Sequence, residues 1–73
     1  MITDKVLEAI ITITKEKTDN HIEPNFATAV EVNKLTKIST QKVYVAFGKL
    51  QCEGKVQVGD TINDQYAMIL SIN

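Results

Sequence analysis

Lys42 and Lys49 stand seven residues apart, with Tyr44 and Val45 between them and Lys37, Ser39, Thr40 and Gln41 just before. Lysine ammonium groups and the hydroxyls of Ser39, Thr40 and Tyr44 suit phosphate oxygens. A glutamine amide can pair with the edge of adenine, and valine methyls fit against the methyl of thymine. The chemistry these residues offer together is contact with double-stranded DNA.

Covalent chemistry has far less to work with. There is one histidine, His21, and one cysteine, Cys52, in the whole chain, and neither a glycine-rich phosphate loop nor a nucleophile motif. His21 lies in a turn-forming stretch near Glu23 with no second histidine to share a metal, so it reads as a solvated loop residue. Cys52 has Glu53 beside it, which disfavours a thiolate, and reads as an inert surface or semi-buried thiol. No catalytic residue, metal site or cofactor is expected.

The charges are unevenly placed. All eight cations are lysines, and Lys34, Lys37, Lys42, Lys49 and Lys55 lie between residues 34 and 55, opposed there only by Glu53. Residues 1–33 carry three lysines against six acids, and residues 56–73 carry Asp60 and Asp64 without a cation. A basic centre between acidic flanks lies hidden under the net charge of −1.

Seventy-three residues with 44% hydrophobic and 23% charged content suit one folded domain rather than a disordered chain. A lone cysteine leaves no internal disulfide, so packing or self-association must stabilise it. Apolar runs such as Ala67 to Leu70 fall far short of the roughly 20 residues that span a bilayer. A soluble protein in the reducing cytoplasm, without a membrane partner, is expected.

The elements that position the lysines follow from periodicity and caps. Ile2, Val6, Ala9, Ile10 and Ile13 predict a helix over 3–17, with Leu7, Ile11 and Thr14 widening its apolar side. A loop follows through Pro24 and Asn25, and Phe26-Ala27 allow a very short strand. Thr28-Ala29-Val30-Glu31 fits a capping box and predicts a helix over 29–36, with Val32 and Leu35 on its inner side. Lys37-Ile38 make a tight turn, and Ser39 caps a helix over 40–53 that turns Val43, Ala46, Phe47 and Leu50 inward. That register leaves Gln41, Val45, Gly48 and Cys52 facing out, with Lys42 and Lys49 on one border and Tyr44 and Gln51 on the other. Gly54 suits the left-handed residue that ends such a helix. Val56 and Val58, then Tyr66, Met68, Leu70 and Ile72, alternate as the strands of an antiparallel hairpin around a loop of roughly five residues, with Ile69 on the opposite side from Met68 and Leu70.

The order of helix, capped short helix, turn, longer helix and hairpin resembles the winged helix-turn-helix superfamily. The segment Leu50-Gln51-Cys52-Glu53-Gly54-Lys55-Val56 looks like the exit from a recognition helix into a wing, and Tyr66-Ala67-Met68 resembles the returning strand. The likeness covers residues 28–70, and the first helix by size and position. It implies an α+β fold of three helices with a two-stranded wing. It also implies a transcriptional regulator that places its third helix in the major groove, commonly as a dimer. Unlike many DNA-binding members, this chain has no arginine, and its wing carries acids.

Two functional expectations follow. One is a small DNA-binding protein whose contacts are Lys37, Ser39, Thr40, Gln41, Lys42, Tyr44, Val45 and Lys49, with Lys34 a further phosphate donor. The other is a protein-interaction or dimerisation module on the same scaffold, using Val45, Gly48 and Cys52 as a smooth helix surface. Gly48 is ambiguous between them, because it serves close backbone approach or is simply tolerated.

Overall fold

The computed structural model describes residues 2–70, so the expected place of Ile72 in the alternating strand pattern falls outside the described residues. The first element, α1 (Ile2–Asp19), buries Val6, Ala9, Ile10 and Ile13 along one stripe. It runs slightly past the predicted 3–17. Asn20 then closes it, donating from its backbone and its side chain to the Glu16 carbonyl at 3.1 and 2.8 Å. His21 follows in a left-handed conformation and is exposed.

The short strand β1 (Ala27–Thr28) leads directly into α2 (Ala29–Thr36) through the expected capping box. The Glu31 amide donates to Thr28 Oγ1 at 3.2 Å, and the Thr28 amide donates to Glu31 Oε1 at 3.0 Å. Lys17 reinforces the junction from the end of α1, its Nζ donating to Glu31 Oε1 at 2.8 Å and to the Phe26 carbonyl at 2.9 Å. Burial alone would push the Glu31 carboxyl up. The hydrogen bonds from Lys17 and from the Thr28 amide outweigh it and hold the group below its ordinary value.

Helix α3 (Thr40–Cys52) buries Val43, Ala46, Phe47 and Leu50, the predicted inward set. Gly54 leaves it at a φ of +75°, a region that favours glycine. Strands β2 (Val56–Asp60) and β3 (Gln65–Ile69) form the hairpin, and β1 adds to its far side, giving an antiparallel sheet in the order β1-β3-β2. The expected hairpin is present, and the short strand expected at Phe26-Ala27 falls at Ala27–Thr28 and makes the sheet three-stranded. The reason is that Ala27 and Thr28 pair with Ala67 and Tyr66.

Two inside-outside assignments differ from the sequence reading. On β3 the inward residues are Ala67, fully buried, and Ile69, packed at the core's edge, while Met68 and Leu70 are exposed. The register explains this: Val58 pairs with Ala67 and Val56 with Ile69, so the two valines of β2 choose the opposite set from the larger side chains. Ala67 lies on the central strand of the sheet and is fully buried. On α2, Leu35 is 53% exposed rather than inward, and Ala29 joins Val32 in the core. The core thus draws on all three helices and on each strand.

Candidate nucleic-acid interface

The segment leading into α3 is fixed by its own polar side chains. Lys37 caps the end of α2 in a left-handed conformation, and its amide donates to the Asn33 carbonyl at 2.8 Å. Asn33 Nδ2 donates to the Ile38 carbonyl at 2.7 Å, and the Ile38 amide donates to Thr36 Oγ1 at 3.1 Å. Ser39 Oγ then accepts the Lys42 amide at 3.4 Å, satisfying one free donor of the first turn of α3. A turn held in this way sets how α3 leaves α2.

On α3 the exposed residues are Gln41, Lys42, Tyr44, Val45, Gly48, Lys49, Gln51 and Cys52, while Thr40 is half-buried. Val45 at the centre is 61% exposed. A Cβ built on Gly48 meets no atom within 4 Å, so nothing inside the molecule requires glycine there.

The two borders of α3 have different neighbours. Along one, Lys42 and Lys49 line a groove of about 440 Å3, with Gln41, Val45 and Ala46 beside them and Ile2 and Thr3 of α1 opposite. Along the other, Tyr44 and Gln51 fasten the hairpin. The Val58 amide donates to Gln51 Oε1 at 2.9 Å, and the Tyr44 hydroxyl donates to Asp64 Oδ1 at 2.9 Å. The remaining oxygen of Asp64 accepts the Val30 amide at the start of α2, at 3.0 Å. One carboxylate therefore ties the hairpin loop to both neighbouring helices. The hydrogen bond to Asp64 is also the main cause that pushes the Tyr44 hydroxyl above its ordinary pKa.

Comparison of the chain with protein-family models, with curated proteins and with solved structures returns no match. The five central lysines do not share one surface. Lys42 and Lys49 flank the α1–α3 groove, and Lys37 stands at the head of α3. Lys34 lines a separate groove with Thr12, Ile13, Glu16, Glu31 and Leu35, and Lys55 pairs with Glu53 at 3.3 Å. Among the described residues, Lys37, Lys42 and Lys49 have no ion-pair partner.

The structural roles of Asp64 and Gln51 did not stand out in the sequence. A signal was present in the seven-residue spacing of Tyr44 and Gln51, which puts two polar groups on one flank of α3 facing a strand. Among the described residues, no three His, Cys, Asp or Glu side chains converge as a metal would need. No helix among them is long and apolar enough to cross a membrane.

Proposed function

We propose that the chain is a small winged helix-turn-helix protein that binds double-stranded DNA as a cytoplasmic transcriptional regulator and pairs as a dimer on its target. Helix α3 enters the major groove, and the β2–β3 hairpin takes the place of the wing. Lys37, Lys42 and Lys49 contact phosphates, Gln41 pairs with an adenine edge, and Val45 meets a thymine methyl. Ser39 and Thr40 add hydroxyl contacts at the start of α3. Tyr44 lies beside them, with its hydroxyl proton committed to Asp64.

One observation carries this reading. The outward side of α3 offers Lys42 and Lys49 without an ion-pair partner among the described residues, while Asp64 is engaged by Tyr44 and the Val30 amide, and Glu53 by Lys55. Both Asp64 oxygens are thereby occupied within the fold, while the carboxylate keeps its charge. The test is fluorescence anisotropy of a labelled mixed-sequence duplex at low salt. Three phosphate contacts give a slope of about −3 in log affinity against log salt. Absence of binding by the isolated chain at low salt refutes the reading.

A second reading is favoured by the apolar exposure of Val45 and Ile2, 61% and 42%. On it the same helix side packs against a protein. Lys42→Glu with Lys49→Glu abolishes DNA binding on the first reading and barely alters self-association on the second, whereas Val45→Asp impairs the second in sedimentation.

A further inference from the structure

We infer that the groove between the first turn of α1 and the Lys42–Lys49 border of α3 is a docking site for an acidic amphipathic helix from another protein. Such a helix would occupy the surface assigned above to DNA. The docking stands on the groove alone; only its consequence, exclusion of DNA, rests on the nucleic-acid reading.

The charge pattern specifies the occupant. Lys42 and Lys49, seven residues apart on one helix, have their Cα atoms about 10.5 Å apart along the axis. A second helix laid along the groove repeats that spacing if it carries carboxylates at i and i+7. Apolar residues at i+1, i+4 and i+8 of that helix lie on the adjoining stripe, about 40–120° round from the acids at ~100° per residue. They then cover Val45, Ala46 and Ile2, which line the groove between and opposite the two lysines. This is the flanking-charge arrangement of paired helices, with the cations supplied by this chain.

Other occupants fit less well. The groove is open, with Val45 61% and Ile2 42% exposed, whereas a small-molecule site encloses roughly 70–90% of its ligand's surface. A second copy of this chain lacks the pattern. The acids of α1 are Asp4, Glu8, Glu16 and Asp19, that of α2 is Glu31, and α3 has none, so no helix offers two carboxylates seven apart.

The probe is a synthetic capped helix of about 18 residues with Glu at i and i+7 and Leu at i+1, i+4 and i+8, titrated into the 15N-labelled full chain. The expected result is amide shift changes concentrated at residues 2–3 and 41–49, with at least tenfold weaker binding when the two Glu of the peptide are Lys. Lys42→Glu with Lys49→Glu should reverse that preference, so the Lys peptide then binds the better. Both positions are exposed, and a thermal melt confirms that the variant folds. Shifts centred on Met68 and Leu70, indifference to either charge reversal, or no shifts at millimolar peptide overturn the inference. So does concentration-dependent self-association that covers Val45 without peptide. Peptide binding in a chain that does not bind duplex DNA leaves the docking intact and refutes the DNA reading. DNA binding without peptide binding does the opposite, and displacement of bound duplex by the peptide supports both.

Discussion

Gly48 and Gly59 are both glycines in regular elements, yet the space around them differs. Nothing lies within 4 Å of a Cβ at Gly48, so Gly48→Ala should stabilise α3 by about 1 kcal/mol, a rise of roughly 4–8 °C in melting temperature. If α3 approaches DNA or a partner helix closely there, the same change weakens binding while it stabilises the fold. A melt and a titration on one variant separate the two effects. Gly59 is the contrary case. A Cβ there falls within 2.3 Å of the Tyr66 ring, which stacks on Phe26 at a centroid distance of 4.2 Å. Gly59→Ala must displace that ring, and the expected cost is on the order of 1–3 kcal/mol, measured as a lower urea midpoint. Of these two roles only the freedom at Gly48 was open to sequence reasoning. The need for Gly59 comes from a cross-strand partner, Tyr66, that the register alone identifies.

At the scale of elements, what could be read in the sequence was local. The Thr28–Glu31 box, the Ser39 cap and the Gly54 exit each act within four residues and were legible from residue type. The Lys17–Glu31 pair joins residues fourteen apart, and Asp64 meets Val30 across thirty-four, so neither contact has a local signature. The inward side of β3 was misjudged for a related reason. Large side chains are usually the buried ones, but packing under two helices placed Ala67 inside and left Met68 out. The Lys17–Glu31 contact carries a pH prediction. Because folding lowers the Glu31 pKa, the stability it contributes is present above the ordinary carboxylate range and is lost as pH falls through the folded-state value. Glu31→Gln keeps a capping side chain but loses the charge, and this partly exposed pair contributes at most ~1 kcal/mol. The gap in urea midpoint between the wild-type chain and this variant should be largest at neutral pH and should close as acid protonates Glu31 in the folded chain. A gap unchanged by acid would mean that the ion pair contributes nothing.

For the whole molecule, the decisive quantity is how many cations act from one side. The sequence places five lysines within one third of the chain, but the fold divides them among the α3 groove, its leading turn, the α1–α2 groove and an ion pair with Glu53. Sequence distance could not show this, because Lys34 lies on α2 while Lys37, only three residues on, is itself the left-handed cap that ends that helix. With a net charge of −1, the chain has little long-range attraction for a polyanion, so its affinity must come from those few contacts. The salt dependence counts them, at about 0.9 in slope per phosphate. Substituting Lys37, Lys42 or Lys49 singly by Gln should each make the slope shallower by about 1, whereas Lys34→Gln and Lys55→Gln should leave it unchanged. A duplex with two half-sites one helical turn apart, about 10.5 base pairs, should steepen the slope to between about −5 and −6 if two copies bind together, and a half-turn offset should return it to about −3. Equal effects from all five lysines would mean that binding is diffuse and that the oriented α3 surface is not what the DNA meets.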